Sequence, residues 1–309
     1  MERLKGMPVP VLPTFVGAMT LSNIYAGLGF AWVRHITMFV GFIVIFAYIA
    51  KIVFFRDVCL NEYKNVVPCS LYAGFFMMMM ILGSYLYDYN QTLGLTLWFI
   101  AWICHSIHIL IFTYRNVVVN RDINTFVPSW FVTYNGIMVS CVVGASYGYN
   151  HILRYIVYYG IIIYIVIIPI MIWRLIKVAV KPPVYHTMAV VLAPCSLCLV
   201  SYLNIIENPN PYLVYFLYFC VLASLLFIII KMPRFFAFSF VPGYAGVTFP
   251  MAIGTVATGK MAAYLANGGK EQLAGYLTQF QGIQLYLTTM IIGYVLLQFM
   301  INLLRIERI

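Results

Sequence analysis

The sequence predicts an all-α polytopic membrane protein: ten transmembrane helices in five helical hairpins, with the odd-numbered helices forming an inner ring around a central pore. Three observations predict it. They are an apolar composition, apolar runs of spanning length between charged breaks, and a proline motif that recurs once for every two runs. Of 309 residues, 64% are hydrophobic and 8% charged, against roughly 25% charged in a soluble domain. The eight acidic residues, Glu2, Asp57, Glu62, Asp88, Asp122, Glu207, Glu271 and Glu307, all lie outside the long apolar runs. The apolar content excludes disorder and collagen, and seven cysteines spread along the chain do not make a disulfide scaffold.

A helix needs about 20 apolar residues to cross the hydrocarbon layer. The N-terminal MERLKGMPVP leads into an apolar stretch longer than a signal-peptide core and followed by further runs, so it is expected to be retained. Cutting the chain at its charged and turn-rich breaks gives spans near 11–33, 36–55, 66–87, 92–113, 127–148, 152–173, 186–204, 211–230, 238–259 and 280–303, within one transmembrane domain over 1–309. No alternating β-barrel pattern is present. The first, fifth and ninth spans hold many small or polar residues, as in FVTYNGIMVSCVVGAS, whereas even spans are bulkier, as in YIVYYGIIIYIVIIPIMIW. Small residues let helices approach closely or leave a lumen unfilled. Odd helices inside and even helices outside is the economical arrangement; helix packing alone is the other use of such residues.

The motif is a proline with an aromatic close behind it at each odd span: Pro13/Phe15, Pro68/Tyr72, Pro128/Trp130, Pro183/Tyr185 and Pro242/Tyr244, at steps of 55 to 60 residues. A regular period of this size marks a repeated supersecondary unit, here a hairpin of two spans. Proline also favours helix starts in general, because the N–H it lacks has no partner there. An even number of spans puts both termini on one side, and 14 of the 18 basic residues fall on that side. The exceptions are Arg34, Arg154, Lys260 and Lys270. The positive-inside rule therefore predicts cytoplasmic termini. The net charge of +10 reports topology, and no basic stripe with stacking aromatics suggests nucleic acid as a partner.

Three stretches carry a resemblance to a known family: PTFVG with GLGFAW in the first span, HTMAVVLAPCSLCLVSYL in the seventh, and GYAGVTFPMAIG in the ninth. The chain resembles the tellurite-resistance/dicarboxylate transporter family, which includes bacterial TehA and the slow-type anion channels of plant guard cells. The resemblance implies a homotrimer in the plasma or inner membrane. Each protomer would have its own pore, lined by the five odd helices and closed near its middle by a phenylalanine of the ninth. That phenylalanine falls on Phe249 of VTFPM, and Gly17 of PTFVG matches a small position near the pore. The implied function is conduction of small anions. Family members described as carriers of malate or other C4-dicarboxylates, sulfite or tellurite keep secondary transport as the alternative.

The residues add their own reading. In a span over 238–259, Phe249 lies at the centre, and Pro250 removes a backbone bond and is expected to push residue 249 out of ordinary helical geometry. An aromatic ring in a narrow apolar tube is one form of hydrophobic gate; a packing phenylalanine is the other reading. Pro194 is expected to kink the seventh helix and free a carbonyl. Lys260, at the outer end of the ninth span, is a candidate for raising local anion concentration or for anchoring at the interface. The absence of acids within spans argues against a cation-coupled carrier. His105 and His108 share one helical face, and metal binding or proton relay is weighed there against hydrogen bonding to neighbouring helices. Cys195 and Cys198 form C-x-x-C without a second ligand pair. Met77 to Met80 read as packing, and Asn90-Gln91-Thr92 is a glycosylation sequon on the outer side. Neither a histidine array nor G-x-S-x-G nor paired acids point to an enzyme, and no cofactor or metal is implied.

Overall fold

Runs of Leu, Ile, Val, Phe and Ala without water around them must satisfy their own backbone, and a helix does so within one segment. The computed structural model describes residues 2–180, 182–237 and 239–305, and among them there is no strand. Of the residues named or counted above, Lys181, Glu307, Arg308 and the side chains of Pro183 and Arg305 fall outside the described residues; the first three include two of the 14 basic residues of the terminal side. The principal helices are α1 Val11–Gly27, α2 Ala31–Phe54, α3 Val66–Tyr87, α4 Gln91–Val119 and α5 Trp130–Val143. They continue with α6 Asn150–Lys177, α7 Val184–Ile205, α8 Pro211–Phe235, α9 Thr248–Asn267 and α10 Glu271–Arg305. A short helix, Arg56–Lys64, joins α2 to α3.

Seven of these, α2, α3, α4, α6, α7, α8 and α10, are long and apolar enough to cross a membrane. The other three explain themselves by sequence. α1 has 17 residues, α5 changes winding at Asn135 and Gly136, and α9 carries Lys260 among Gly, Ala and Thr residues. The ends also depart from a reading based on charge. The ninth span, expected at 238–259, begins its α-helix at Thr248 after a 3-10 segment, Pro242–Val247, and runs to Asn267. The tenth, expected from 280, begins at Glu271. Lys260 does not end α9: the residue is exposed, and a lysine with a long stem can stand on a helix surface without breaking the helix. The stop is Gly268–Gly269, where Gly269 adopts φ 74, a conformation with no steric cost only for glycine. Gly29, at φ 93, turns the chain the same way between α1 and α2.

The prolines occupy a common position. Pro13 and Pro68 are the third residues of α1 and α3. Pro194 is the third residue of the α-helical part of α7, Leu192–Ile205, which follows a 3-10 segment, and Pro250 is the third of α9. First-turn N–H groups have no acceptor within their own α-helix, so a proline there forfeits no bond. This corrects one expectation and places another. Pro250 does not displace residue 249, which is a helical residue near the start of α9 rather than at its centre, and Pro194 stands where α7 passes from 3-10 to α winding.

Packing follows a regular order. α1 lies against α3 and α9, α3 against α5, α5 against α7, and α7 against α9. Each is also packed on the next helix in the chain, α2, α4, α6, α8 and α10 in turn. Burial divides the same way. Of the most apolar stretch, 89% is buried in α7 and 67% in α3, against 22–39% in the five even helices. Phe39, Phe46, Ile162, Phe219 and Leu226 of the even helices are exposed, a surface that hydrocarbon solvates. At the end where α1 begins, the buried Lys51 ammonium donates to Glu62 Oε1 and to the Met7 carbonyl, both at 2.7 Å. The Tyr72 hydroxyl donates to Glu62 Oε2 at 2.7 Å, so α2, the short helix, α3 and the N-terminal segment are tied together.

Candidate functional site

The start of α9 is pressed backbone to backbone against α1. A Cβ on Gly17 would stand 2.7 Å from Phe249 N and 2.9 Å from the Thr248 carbonyl carbon. The contact therefore exists because position 17 has no side chain. α3 meets α1 one turn away in the same manner, where a Cβ on Gly74 would stand 2.9 Å from Pro13 N. The Thr248 hydroxyl donates to the Ala245 carbonyl at 2.7 Å, joining the 3-10 segment to the helix that carries Phe249.

Phe249 is buried, 5% exposed, and its remaining exposure faces a cavity of about 900 Å³. The walls come from α1 (Thr20, Asn23, Ile24), α3 (Ile81, Ser84), α5 (Val139, Val142, Val143) and α9 (Phe249, Ile253, Val256, Lys260), with Arg34 of α2 and Gln281 of α10. A second cavity, about 530 Å³, is lined by Pro10, Val67, Leu71, Val184, Thr187, Ala245 and Gly246, the approaches to α1, α3, α7 and α9. Ala245 and Gly246 precede Phe249 by one helical turn, so the two cavities come closest in the chain at this residue.

The electrostatics are uneven. Lys260 is 11 residues beyond Phe249 on α9, about 16 Å along the helix axis, and is exposed. It also borders a neighbouring cavity of about 620 Å³ with Glu207 and Lys270. Lys270, in the turn before α10, donates to the Tyr215 hydroxyl at 2.8 Å, and this bond raises its pKa above the usual lysine value. Arg34 donates from Nε to Asn23 Oδ1 at 2.8 Å and from Nη1 to Asp88 Oδ2 at 2.7 Å. Among the residues lining the 900 Å³ cavity, Arg34 and Lys260 are the charged ones, and no carboxylate joins them. Near Phe249 the hydroxyls are turned inward on their own helices. Thr20 donates to the Val16 carbonyl at 2.8 Å, and Thr255 to the Met251 carbonyl at 2.9 Å.

Of the residues singled out in the sequence, the structure brings Gly17, Phe249 and Pro250 together and puts Lys260 on the same cavity. Pro194 is buried in the first turn of the α-helical part of α7 and does not line either cavity. The histidines are hydrogen-bonded to neighbouring elements. His105 Nε2 donates to the Thr133 carbonyl at 2.8 Å, His108 Nδ1 pairs with the Tyr63 hydroxyl at 2.7 Å, and His108 Nε2 lies 3.4 Å from the Thr133 hydroxyl. Cys195 and Cys198 are buried, the first against the Leu192 carbonyl at 3.3 Å and the second beside the Asn135 amide. Met77, Met78 and Met80 are packed in the core. Asn90 caps α4 by accepting from Leu93 N at 3.0 Å.

Sequence reasoning passed over Asn23, Ser84, Val139, Ile253 and Gln281, and counted Arg34 only for topology. Small and apolar wall residues carry no local signal, because what makes them lining residues is which neighbours they face. Arg34 did carry one: a cation directly after the first span, with Asp88 directly after the third.

Among curated proteins no sequence matches this chain. The family model described as SLAC1, voltage-dependent anion channel, matches residues 10–305, which take in every helix that lines the two cavities.

Proposed function

Because the chain belongs to the SLAC1 family of voltage-dependent anion channels, we propose that it conducts small anions through a pore within each protomer, closed by the ring of Phe249. This is the tellurite-resistance/dicarboxylate transporter family of the sequence resemblance, and its members are channels or transporters rather than enzymes. The protein is accordingly a multi-pass membrane protein with small anions as its substrates.

The finer reading has ten spans, with α1, α5 and α9 crossing together with the seven longer helices. They pair as five hairpins. Their odd members form an inner ring, which the packing order α1–α3–α5–α7–α9–α1 supports because it closes on itself. The ring encloses the pathway, and the two cavities are its outer and inner ends. The position of Phe249 carries the reading: it floors the larger cavity one turn from the wall of the smaller. A phenyl ring there denies an ion both space and hydration.

Conduction is favoured over carriage by the walls. A carrier holds its anion at mid-depth with fixed cations or open helix N-termini. Beside Phe249 the Thr20 and Thr255 hydroxyls donate to their own helices, and the lysine that α9 adds to the wall, Lys260, is about 16 Å away along the helix axis. Lys260 concentrates anions at the outer end. The assembly is a homotrimer in the plasma or inner membrane with both termini cytoplasmic.

Anion current tests this directly, with the protein and Phe249→Ala compared in chloride, nitrate and malate. A weak parent current and a large, anion-selective current from Phe249→Ala is the expected result. If both are silent while proteoliposomes accumulate labelled malate, the protein is a carrier and Phe249 a packing residue.

A further inference from the structure

The Arg34 guanidinium is held on three sides. Asn23 of α1 takes Nε, Asp88 at the end of α3 takes Nη1, and the Tyr85 ring lies 5.1 Å from its central carbon. A long cation that is normally free to sample rotamers is therefore already fixed, and a ligand that binds it bears little of the ordering cost. The side chain keeps 20% of its exposure and lines the 900 Å³ cavity. Its planar fork has five N–H donors, and the Asn23 and Asp88 bonds occupy two of them.

Asp88 is placed differently. Its side chain is 50% exposed, and it is not among the residues lining the cavity. It approaches Arg34 from outside, while the cavity side presents Arg34 and Lys260 with no acid between them. A half-exposed carboxylate holds its partner weakly, because water and salt screen the pair. An anion arriving from the cavity side finds a fixed guanidinium, a second cation on α9, and neutral polar side chains such as Asn23, Ser84 and Gln281 with no competing carboxylate.

We propose that the outer mouth of this cavity is a binding site for a small planar oxyanion, nitrate or a carboxylate, built on Arg34 with Lys260 as its second cation, and that Asp88 is its built-in competitor. The proposal rests on reading the cavity as the outer end of the pathway. A guanidinium meets a planar oxyanion through two parallel N–H bonds, which a spherical halide cannot accept. The site therefore prefers nitrate or acetate over chloride. Removing the Asp88 charge weakens its hold on Nη1 and tightens binding, whereas removing the Arg34 fork abolishes the preference.

The test reads binding rather than current. The purified full-length protein is melted in detergent while nitrate replaces chloride at constant ionic strength. The parent's midpoint rises saturably with nitrate. In Asp88→Asn the half-saturating concentration falls, and in Arg34→Gln it rises by about tenfold or more, the size expected from losing a charge-assisted bond. Lys260→Gln weakens the response to an intermediate degree, and Arg34→Lys keeps anion binding but loses the nitrate preference. A misfolded variant cannot mimic the Asp88→Asn result, which is a gain. An unchanged nitrate response in Arg34→Gln, or no gain in Asp88→Asn, makes the Arg34–Asp88 pair a structural clasp and overturns the proposal. A nitrate response that persists while Phe249→Ala carries no current leaves this site standing and removes the pore reading instead.

Discussion

Gly17 shows how much one missing methyl group determines. Its hypothetical Cβ meets three backbone atoms of Thr248 and Phe249 at 3.1 Å or less, and backbone cannot swing aside. Gly17→Ala is expected to lower stability by about 1–3 kcal/mol through overpacking, read as a lower thermal unfolding midpoint. Gly275→Ala, in α10 with nothing within 4 Å of its Cβ, is the control and raises the midpoint slightly by improving helix propensity. Lys51 is a second residue whose partners decide its fate. Its side chain is fully buried, and Glu62→Gln removes its countercharge and leaves it with neutral acceptors, the glutamine amide oxygen and the Met7 carbonyl. Stranding a buried charge costs about 3–5 kcal/mol, and Glu62 is a quarter exposed, which puts this case at the low end. The Glu62→Gln midpoint is expected to fall, and adding Lys51→Met to recover part of the loss. At this scale the sequence gives residue type but not partner. His105 reads as a histidine hydrogen-bonded to some neighbouring helix, and only the fold shows that its partner is the Thr133 carbonyl of α5.

Helices are more legible than residues because their driving force is summed over many side chains. Burial separates the helices clearly: 67% in α3 and 89% in α7 against 22–39% in the even ones. The prolines keep a common place near the start of each α-helix, but the sequence motif does not always mark it. In α1 and α3 the sequence motif and the third-residue position coincide at Pro13 and Pro68, while in α7 and α9 that position belongs to Pro194 and Pro250. The motif prolines ahead of those two helices, Pro183 and Pro242, instead fall in the preceding 3-10 segments, so winding rather than spacing sets where each α-helix begins. Pro194→Ala is expected to change stability by less than about 1 kcal/mol, since no helix hydrogen bond is regained and only the unfolded chain gains freedom. Cys198→Pro, four residues further into the same helix, costs about 3 kcal/mol or more and lowers the thermal midpoint sharply. A large effect at Pro194 would mean that the ring shapes the helix after all.

Topology belongs to the whole molecule, since the positive-inside rule sums charge over every loop. Lys64 and Lys270 fall on opposite sides in that count. In intact cells, an impermeant maleimide is expected to label Lys270→Cys, while Lys64→Cys reacts only after permeabilisation. The reverse pattern would invert the protein and turn the Arg34 mouth toward the cytoplasm.

The sequence by itself determined that the chain is an all-helical membrane protein, which family it belongs to, and where most helices lie. Each of these follows from sums: hydropathy over twenty residues, or similarity over nearly the whole chain. Only the tertiary structure decided that Gly17 seats the start of α9, that Phe249 floors one cavity a turn from another, and that Arg34 and Lys260 face a common space. These are meetings of side chains from helices far apart in the sequence, and no local pattern encodes which faces will converge. The ends of α9 and α10 belong to the same class, because charge marks a break only where the side chain cannot reach water, and reach is set by the fold.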